Sequence, residues 1–180
     1  VQEGHVPSAD EAGDRPVLGE AEGKTMEVNF TLNGEKATVD VPPYTTLTDM
    51  LRDEMNIQSV KKGCEHGECG ACTLLVNGLP VASCIILAPQ VEGKHITTLE
   101  GLEHKAMMID LRQAYIENGA IQCGFCTPGM LISSYALLRD NQNPSPDEVK
   151  LAIEGNICRC TGFTKIIEAV LDAAERIAVE

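Results

Sequence analysis

Polar and apolar positions change period three times along the chain. From Met26, apolar residues alternate with polar ones at Met26, Val28, Phe30 and Leu32, and again at Ala37, Val39 and Val41. Asn33-Gly34 lies between the two runs and tolerates the positive φ of a type I′ turn, so the pattern predicts a β-hairpin. Asn29-Phe30-Thr31 has the form of a glycosylation acceptor, but its place inside a strand makes it a chance match. Leu47, Met50, Leu51 and Met55 then fall on one face of a short helix with a threonine cap. A second hairpin is predicted around Asn77-Gly78, pairing residues 71–76 with 80–86, and His95–Leu99 reads as a further short strand. Hairpin, helix, loop and hairpin together predict a small α+β unit with a mixed sheet on one helix.

After Leu99 the period becomes helical. Met107, Met108, Leu111, Ala114 and Tyr115 share a face, and Gly119 has the place of a C′ stop. Thr127 and Pro128 read as N-cap and N1 of a helix with Leu131, Leu137 and Leu138 inward. Ser145 and Glu148 form a capping box around Pro146, and Gly155 ends that helix. A last helix places Ile166, Ile167, Val170, Leu171, Ala174 and Ile177 inward. The C-terminal part therefore predicts four helices. The pattern divides the chain into 1–24, 25–100 and 101–180. Residues 1–24 carry four glycines, two prolines and six acids without apolar periodicity, and read as an acidic flexible tail.

Composition narrows the function classes. Hydrophobic residues make up 43% of the 180, enough for a core, while aromatics reach only 3% and aliphatic side chains must fill it. A net charge of −13 argues against nucleic acid or an anionic membrane as the main partner. No apolar run approaches the roughly 18 residues of a transmembrane helix. Val1 is not a methionine and no signal pattern follows it, so a targeting segment removed ahead of it stays open.

Cysteine is the unusual component. The eight cysteines fall in two groups, Cys64, Cys69, Cys72 and Cys84, then Cys123, Cys126, Cys158 and Cys160. Disulfide scaffolds spread cysteines along a chain to close many loops, whereas two local quartets suit two four-ligand metal sites. The first quartet is C-x4-C-x2-C followed by Cys84, the plant-type [2Fe–2S] spacing. Gly63, Gly67 and Gly70 let the backbone wrap closely enough for amide N–H groups to face the sulfurs. Zinc more often uses two C-x2-C knuckles, and a Rieske centre needs two histidines where this loop has only His66. The second quartet, C-x2-C-x31-C-x-C, places each cysteine pair just before a predicted helix. Antiparallel pairing of helices brings both pairs to one end of a bundle, where positive helix termini favour an anionic cluster. Zinc and a redox dithiol remain alternatives for these residues taken alone.

The strings GCEHGECGACT, QCGFCTPGM and GNICRCTG, in that order, resemble the small iron–sulfur subunit of the molybdenum hydroxylases, the xanthine dehydrogenase, aldehyde oxidase and carbon monoxide dehydrogenase family. The resemblance spans about residues 25–178. It implies a β-grasp, plant-type ferredoxin domain followed by an all-α four-helix [2Fe–2S] domain. It further implies two [2Fe–2S] clusters, a large subunit bearing a molybdenum–pterin cofactor and a medium subunit bearing FAD, as a heterotrimer or a dimer of heterotrimers. Gln122 matches the family residue that hydrogen-bonds the pterin, with Cys160 against the same group. The expected role is one-electron relay between molybdenum and flavin, with no catalytic residue in this chain. A free-standing two-cluster ferredoxin and a zinc-bound interaction module are the competing readings. Thiolate ligands fit a reducing cytoplasm, with twin-Arg export of the folded protein to the periplasm as the alternative.

Overall fold

The computed structural model describes residues 24–178; the predicted tail lies outside them except for Lys24. Strands β1 (Met26–Leu32) and β2 (Glu35–Val41) pair antiparallel from Met26↔Val41 to Leu32↔Glu35. Asn33 and Gly34 have φ of 53° and 95°, the type I′ turn their sequence requires. Strands β3 (Thr73–Val76) and β4 (Leu79–Ala82) repeat the device, with Asn77 at 49° and Gly78 at 82°. The short β5 (His95–Thr97) joins the hairpins, parallel to β1 and antiparallel to β3, giving the order β2-β1-β5-β3-β4.

Between the hairpins, α1 (Leu47–Asp49) opens with Thr46, whose hydroxyl accepts from the Asp49 N–H at 3.1 Å. The turn then widens into a π-type segment, Met50–Glu54. Leu47, Met50 and Leu51 are fully buried against Val28, Phe30, Val41, Leu74 and Ile96 in the first core.

The strand predicted over residues 80–86 is shorter than its sequence suggests. β4 ends at Ala82, and Cys84 sits in a 3₁₀ turn, Ser83–Ile85. The cause is tertiary. Leu47 N–H donates to Ile86 C=O at 2.7 Å and Ala88 N–H to Thr45 C=O at 2.8 Å, which draws the chain off the sheet edge towards α1.

The helical part consists of the single turn α2 (Leu99–Leu102) followed by α3 (Ala106–Glu117), α4 (Thr127–Asp140), α5 (Pro146–Ile153) and α6 (Thr164–Ile177). Gly119 adopts φ of 65° past α3. Ser145 and Glu148 make the reciprocal capping box at α5. The cap at α4 differs by one residue from the predicted Thr127. The Met130 N–H bonds to the Cys126 carbonyl at 3.0 Å, which makes Cys126 the N-cap and Thr127 the first helical residue. Met108, Leu111, Tyr115, Met130, Ile132, Leu138, Val149, Ile166 and Val170 build the second core. The Tyr115 hydroxyl, buried in it, pairs with Ser134 Oγ at 3.0 Å.

Strand β3 joins the two cores. Leu74 packs into the sheet core and Leu75, the next residue, into the helical one. The period-2 alternation that gives an edge hairpin a wet face here gives it two dry ones, because α4 packs on β3.

Candidate metal centres

The first quartet lies in the loop between α1 and β3 and in the turn after β4. Cys72 enters β3, and Ser83 fixes Cys84 beside it. The Ser83 hydroxyl, fully buried, donates to the Cys72 carbonyl at 2.8 Å and accepts from Thr48 Oγ1 at 2.7 Å. Cys72 and Cys84 are both buried. Cys64 and Cys69, both half-buried, meet on the loop through the Cys69 N–H. The N–H groups of His66 and Cys69 both reach Cys64 Sγ at 3.4 Å and draw its thiol down to about 6. Burial, together with the Cys72 thiol, pushes Cys84 up to about 11, against the opposing Gly67 N–H. A Cβ on Gly63 would fall 2.8 Å from Cys69 Sγ, so a side chain there would intrude on the sulfur. His66 is exposed, on the outside of the loop.

The second quartet gathers at the N-terminal ends of α4 and α6. Cys126 caps α4, and Cys158 and Cys160 precede α6, whose start at Thr164 follows Phe163 with φ of 70°. Cys123 and Cys160 approach with their sulfurs 3.6 Å apart. A tetrahedral metal with metal–sulfur bonds of about 2.3 Å places two sulfurs about 3.8 Å apart, so this pair already has the spacing of two ligands on one ion. Cys126 and Cys158 line one cavity together with that pair. Burial opposes ionisation of Cys158, but the Thr161 hydroxyl at 3.1 Å and N–H at 3.4 Å hold its thiol below the ordinary value. Burial and the neighbouring Cys158 push Cys126 up to about 12. Contact with Cys123 raises Cys160.

In the second quartet the sulfurs of Cys123 and Cys160 lie side by side and all four cysteines line one cavity, while in the first the Cys69 N–H meets Cys64 Sγ and Ser83 ties Cys84 to the Cys72 carbonyl. Among the described residues, no three His, Cys, Asp or Glu side chains converge as a single ion requires. Four cysteines without a single-ion centre suit a [2Fe–2S] group, which takes two thiolates on each of two irons.

The two sites differ in cover. Cys123 and Cys160 are exposed, and a cavity of about 150 Å³ lies over them, lined by Phe125, Ile157 and Arg159 as well as the cysteines. Phe125 and Ile157, 47% and 55% exposed, are its large apolar lining residues. Gln122 is exposed beside Cys123. Sequence reasoning left out Ser83, Thr161 and Asn156. Of these, Asn156 and Thr161 flank Cys158 and Cys160 within GNICRCTG, which was their available signal.

A sheet domain and a helical domain, each presenting four cysteines, define an iron–sulfur protein. Family models agree: residues 30–102 match the 2Fe-2S iron-sulfur cluster binding domain and residues 98–171 the [2Fe-2S] binding domain. The chain is 46% identical over 153 residues to the nicotinate dehydrogenase small FeS subunit of Eubacterium barkeri, covering 85% of this chain and 98% of that one. It is 43% identical over 151 residues to the xanthine dehydrogenase iron-sulfur-binding subunit of Escherichia coli O157:H7, covering 83% and 94%. In structure it resembles quinoline 2-oxidoreductase from Pseudomonas putida 86, with a TM-score of 0.81 and 40% identity over 87% of this chain and 98% of that one. It also resembles a segment, 17% of the length, of the aldehyde oxidoreductase of Desulfovibrio desulfuricans ATCC 27774, with a TM-score of 0.79 and 41% identity over 86% of this chain. The chain belongs to the small iron–sulfur subunits of the molybdenum hydroxylase family of oxidoreductases.

Proposed function

We propose that this chain relays single electrons between a molybdenum–pterin large subunit and an FAD-bearing medium subunit or other acceptor. The observation that supports the reading is the grouping of the eight cysteines into two quartets, the second with all four members around one cavity and the first on one loop and the turn that Ser83 ties to it. Cys64, Cys69, Cys72 and Cys84 would hold one [2Fe–2S] group in a plant-type ferredoxin, β-grasp domain spanning 25–100. Cys123, Cys126, Cys158 and Cys160 would hold the other in a four-helix domain spanning 101–180. When bound, each group takes up and releases one electron at a time. The chain's own residues set the conditions. Loop N–H groups at His66 and Cys69 and the Thr161 hydroxyl stabilise charge on sulfur, while Gly63 leaves room beside Cys69.

The exposed Phe125 and Ile157 beside Cys123 and Cys160 support assigning that side to the large subunit, where Gln122 would hydrogen-bond the pterin. No helix among the described residues is long and apolar enough to cross a membrane. Ligation by eight thiols fits a reducing cytoplasm, with folded export to the periplasm as the alternative. The test is EPR of the dithionite-reduced protein together with its native size. Two distinct [2Fe–2S] signals in a multi-subunit complex are expected. A colourless zinc-containing sample overturns the cluster assignment, and a stable free monomer in cells overturns the subunit assignment in favour of a diffusible ferredoxin.

A further inference from the structure

Charge is distributed unequally between the two cysteine quartets. The first loop places Glu65 and Glu68 between Cys64 and Cys69. Lys62, just ahead of that loop, is paired with both Asp49 and Asp53. The second quartet has the opposite sign beside it. Arg159 stands between Cys158 and Cys160 and lines their cavity of about 150 Å³, whose other lining residues are the four cysteines, Phe125 and Ile157. A guanidinium is therefore the one cation on a wall otherwise made of thiols and apolar groups. It is also uncommitted. Among the described residues, the basic side chains within ion-pairing distance of a carboxylate are Lys62, His104, Arg139, Lys150, Lys165 and Arg176, and Arg159 is not one of them.

The segment that carries Arg159 is fixed on both sides. Ahead of it, Asn156, only 3% exposed, donates from Nδ2 to the Gly70 carbonyl at 2.9 Å and to Thr73 Oγ1 at 3.2 Å. Its Oδ1 accepts from Ser133 Oγ of α4 at 2.6 Å, and the Ile157 N–H donates to the Cys69 carbonyl at 2.9 Å. This network is a seam that ties the segment to the first loop, β3 and α4. A buried polar network with its partners made is rigid and expensive to rearrange. Behind Arg159, the Thr161 hydroxyl donates to Cys158 Sγ at 3.1 Å and accepts from the Phe163 N–H at 3.3 Å. An exposed arginine is ordinarily a solvated charge of small effect. Arg159 differs because its backbone is held between two cysteines and its side chain faces a wall of low polarity, where a charge acts more strongly than in open water.

We infer that Arg159 is the charge-compensating residue of the second site, whose guanidinium offsets the negative charge of the [2Fe–2S] group there and holds its reduction potential up. The inference rests on the cluster assignment proposed above. A [2Fe–2S] group on four thiolates is an anion, and reduction adds one electron and one further negative charge. No bond forms or breaks and no proton moves. A fixed cation stabilises the more negative form, so it favours reduction. Net charge and the surroundings of the sulfurs are among the levers that set a cluster's potential. The effect is local, and the first site, whose loop bears carboxylates instead, is its internal control.

The test is a dithionite titration of the co-purified complex, with the reduced fraction of each centre read from its own EPR signal, in the parent and in Arg159→Gln, Arg159→Glu and Arg159→Lys. In Arg159→Gln the reduced-to-oxidised ratio of the second centre at a fixed potential should fall on the order of tenfold, which for a one-electron couple is about 59 mV. Arg159→Glu should shift it further in the same direction, Arg159→Lys should stay near the parent, and the first centre should not move in any of them. An unchanged second potential in Arg159→Gln and Arg159→Glu overturns the proposal, whether or not the complex then co-purifies less well. So does an equal shift of both centres, which a general loosening of the fold would give. If Arg159→Gln and Arg159→Glu do not carry the second signal, Arg159→Lys decides. Its signal and potential should match the parent, and loss of the signal there too would mean that the shape of the side chain matters and its charge does not. Absence of two signals in the unaltered complex would instead sink the cluster assignment, so the two failures are distinguishable.

Discussion

The two cysteine quartets are positioned by opposite local means. The first is wound on its own domain. Its loop amides turn inward to Cys64, and Ser83 and Thr48 clamp Cys72 against Cys84 beneath the sheet. The second stands at helix ends, with Cys158 inside and Cys123 and Cys160 at the surface. The first site takes its shelter from its own polypeptide. The second has a sheltered half and an open half, and the open half is rimmed by apolar residues. Under the proposed function, the contrast separates a site completed by folding from one completed by assembly.

The largest effect that can break this comparison is the loss of a centre. Cys72→Ser removes a buried cysteine proposed as a ligand of the first site, and Cys158→Ser its counterpart at the second. Each is expected to abolish one EPR signal of the reduced complex and leave the other. Retention of both signals in either variant contradicts the pairing into quartets. Loss of both signals in both variants would make the two sites one cooperative unit, against the comparison drawn here.

Much of this arrangement was legible in the sequence, wherever local chemistry decides. Asn33-Gly34 and Asn77-Gly78 announce hairpins because few other residue pairs accept positive φ twice in succession. Ser145 and Glu148 announce the start of α5 because their side chains answer each other's backbone within one turn. The cysteine spacing likewise groups the eight residues into two quartets by local chemistry alone. Long-range contacts were not legible. Cys84 leaves its strand because Thr45 and Leu47, far back in the chain, bond to Ala88 and Ile86. Thr127 has the right side chain for an N-cap, yet the Cys126 carbonyl takes the first helical hydrogen bond. Asn156 looks like any polar residue past a helix end; its partner Gly70 is 86 positions away. Nor does alternation in β3 say that a helix will cover its second face.

That second face offers the next sharpening. Leu74 and Leu75 are neighbours in one strand, 0% and 3% exposed, and pack into different cores. Truncating a buried leucine to alanine costs about 2–5 kcal/mol, depending on how far the site collapses. Leu74→Ala should lower hydrogen-exchange protection chiefly in β1, β5 and α1, and Leu75→Ala chiefly in α4 and the helices packed on it. If both substitutions lower protection uniformly over both halves, the cores are one cooperative unit and the contrast between the sites is only local.

The smallest expected effect concerns α5, which lies on the helical side and holds no cysteine. Ser145 caps it by accepting the Glu148 N–H at 3.3 Å, and the Glu148 carboxylate accepts the Ser145 N–H at 2.7 Å. Ser145→Ala should cost about 1 kcal/mol, the typical value of a lost N-cap, read as faster hydrogen exchange in the first turn of α5. The Ser145 N–H and hydroxyl hold Glu148 below its ordinary carboxylate range. A carboxyl lowered on folding contributes stability above its unfolded pKa, and that contribution is lost as pH falls through the lower folded value. The difference between Ser145→Ala and the parent should therefore stay constant from neutral to mildly acidic pH and shrink only below the ordinary glutamate range. Because α5 connects α4 to the segment carrying Asn156 and Cys158, exchange at the Ile157 amide is the informative control. It should be unchanged in Ser145→Ala if the Asn156 network holds that segment independently of the helix before it. Faster exchange there would show that the second site relies on α5 as well as on the seam.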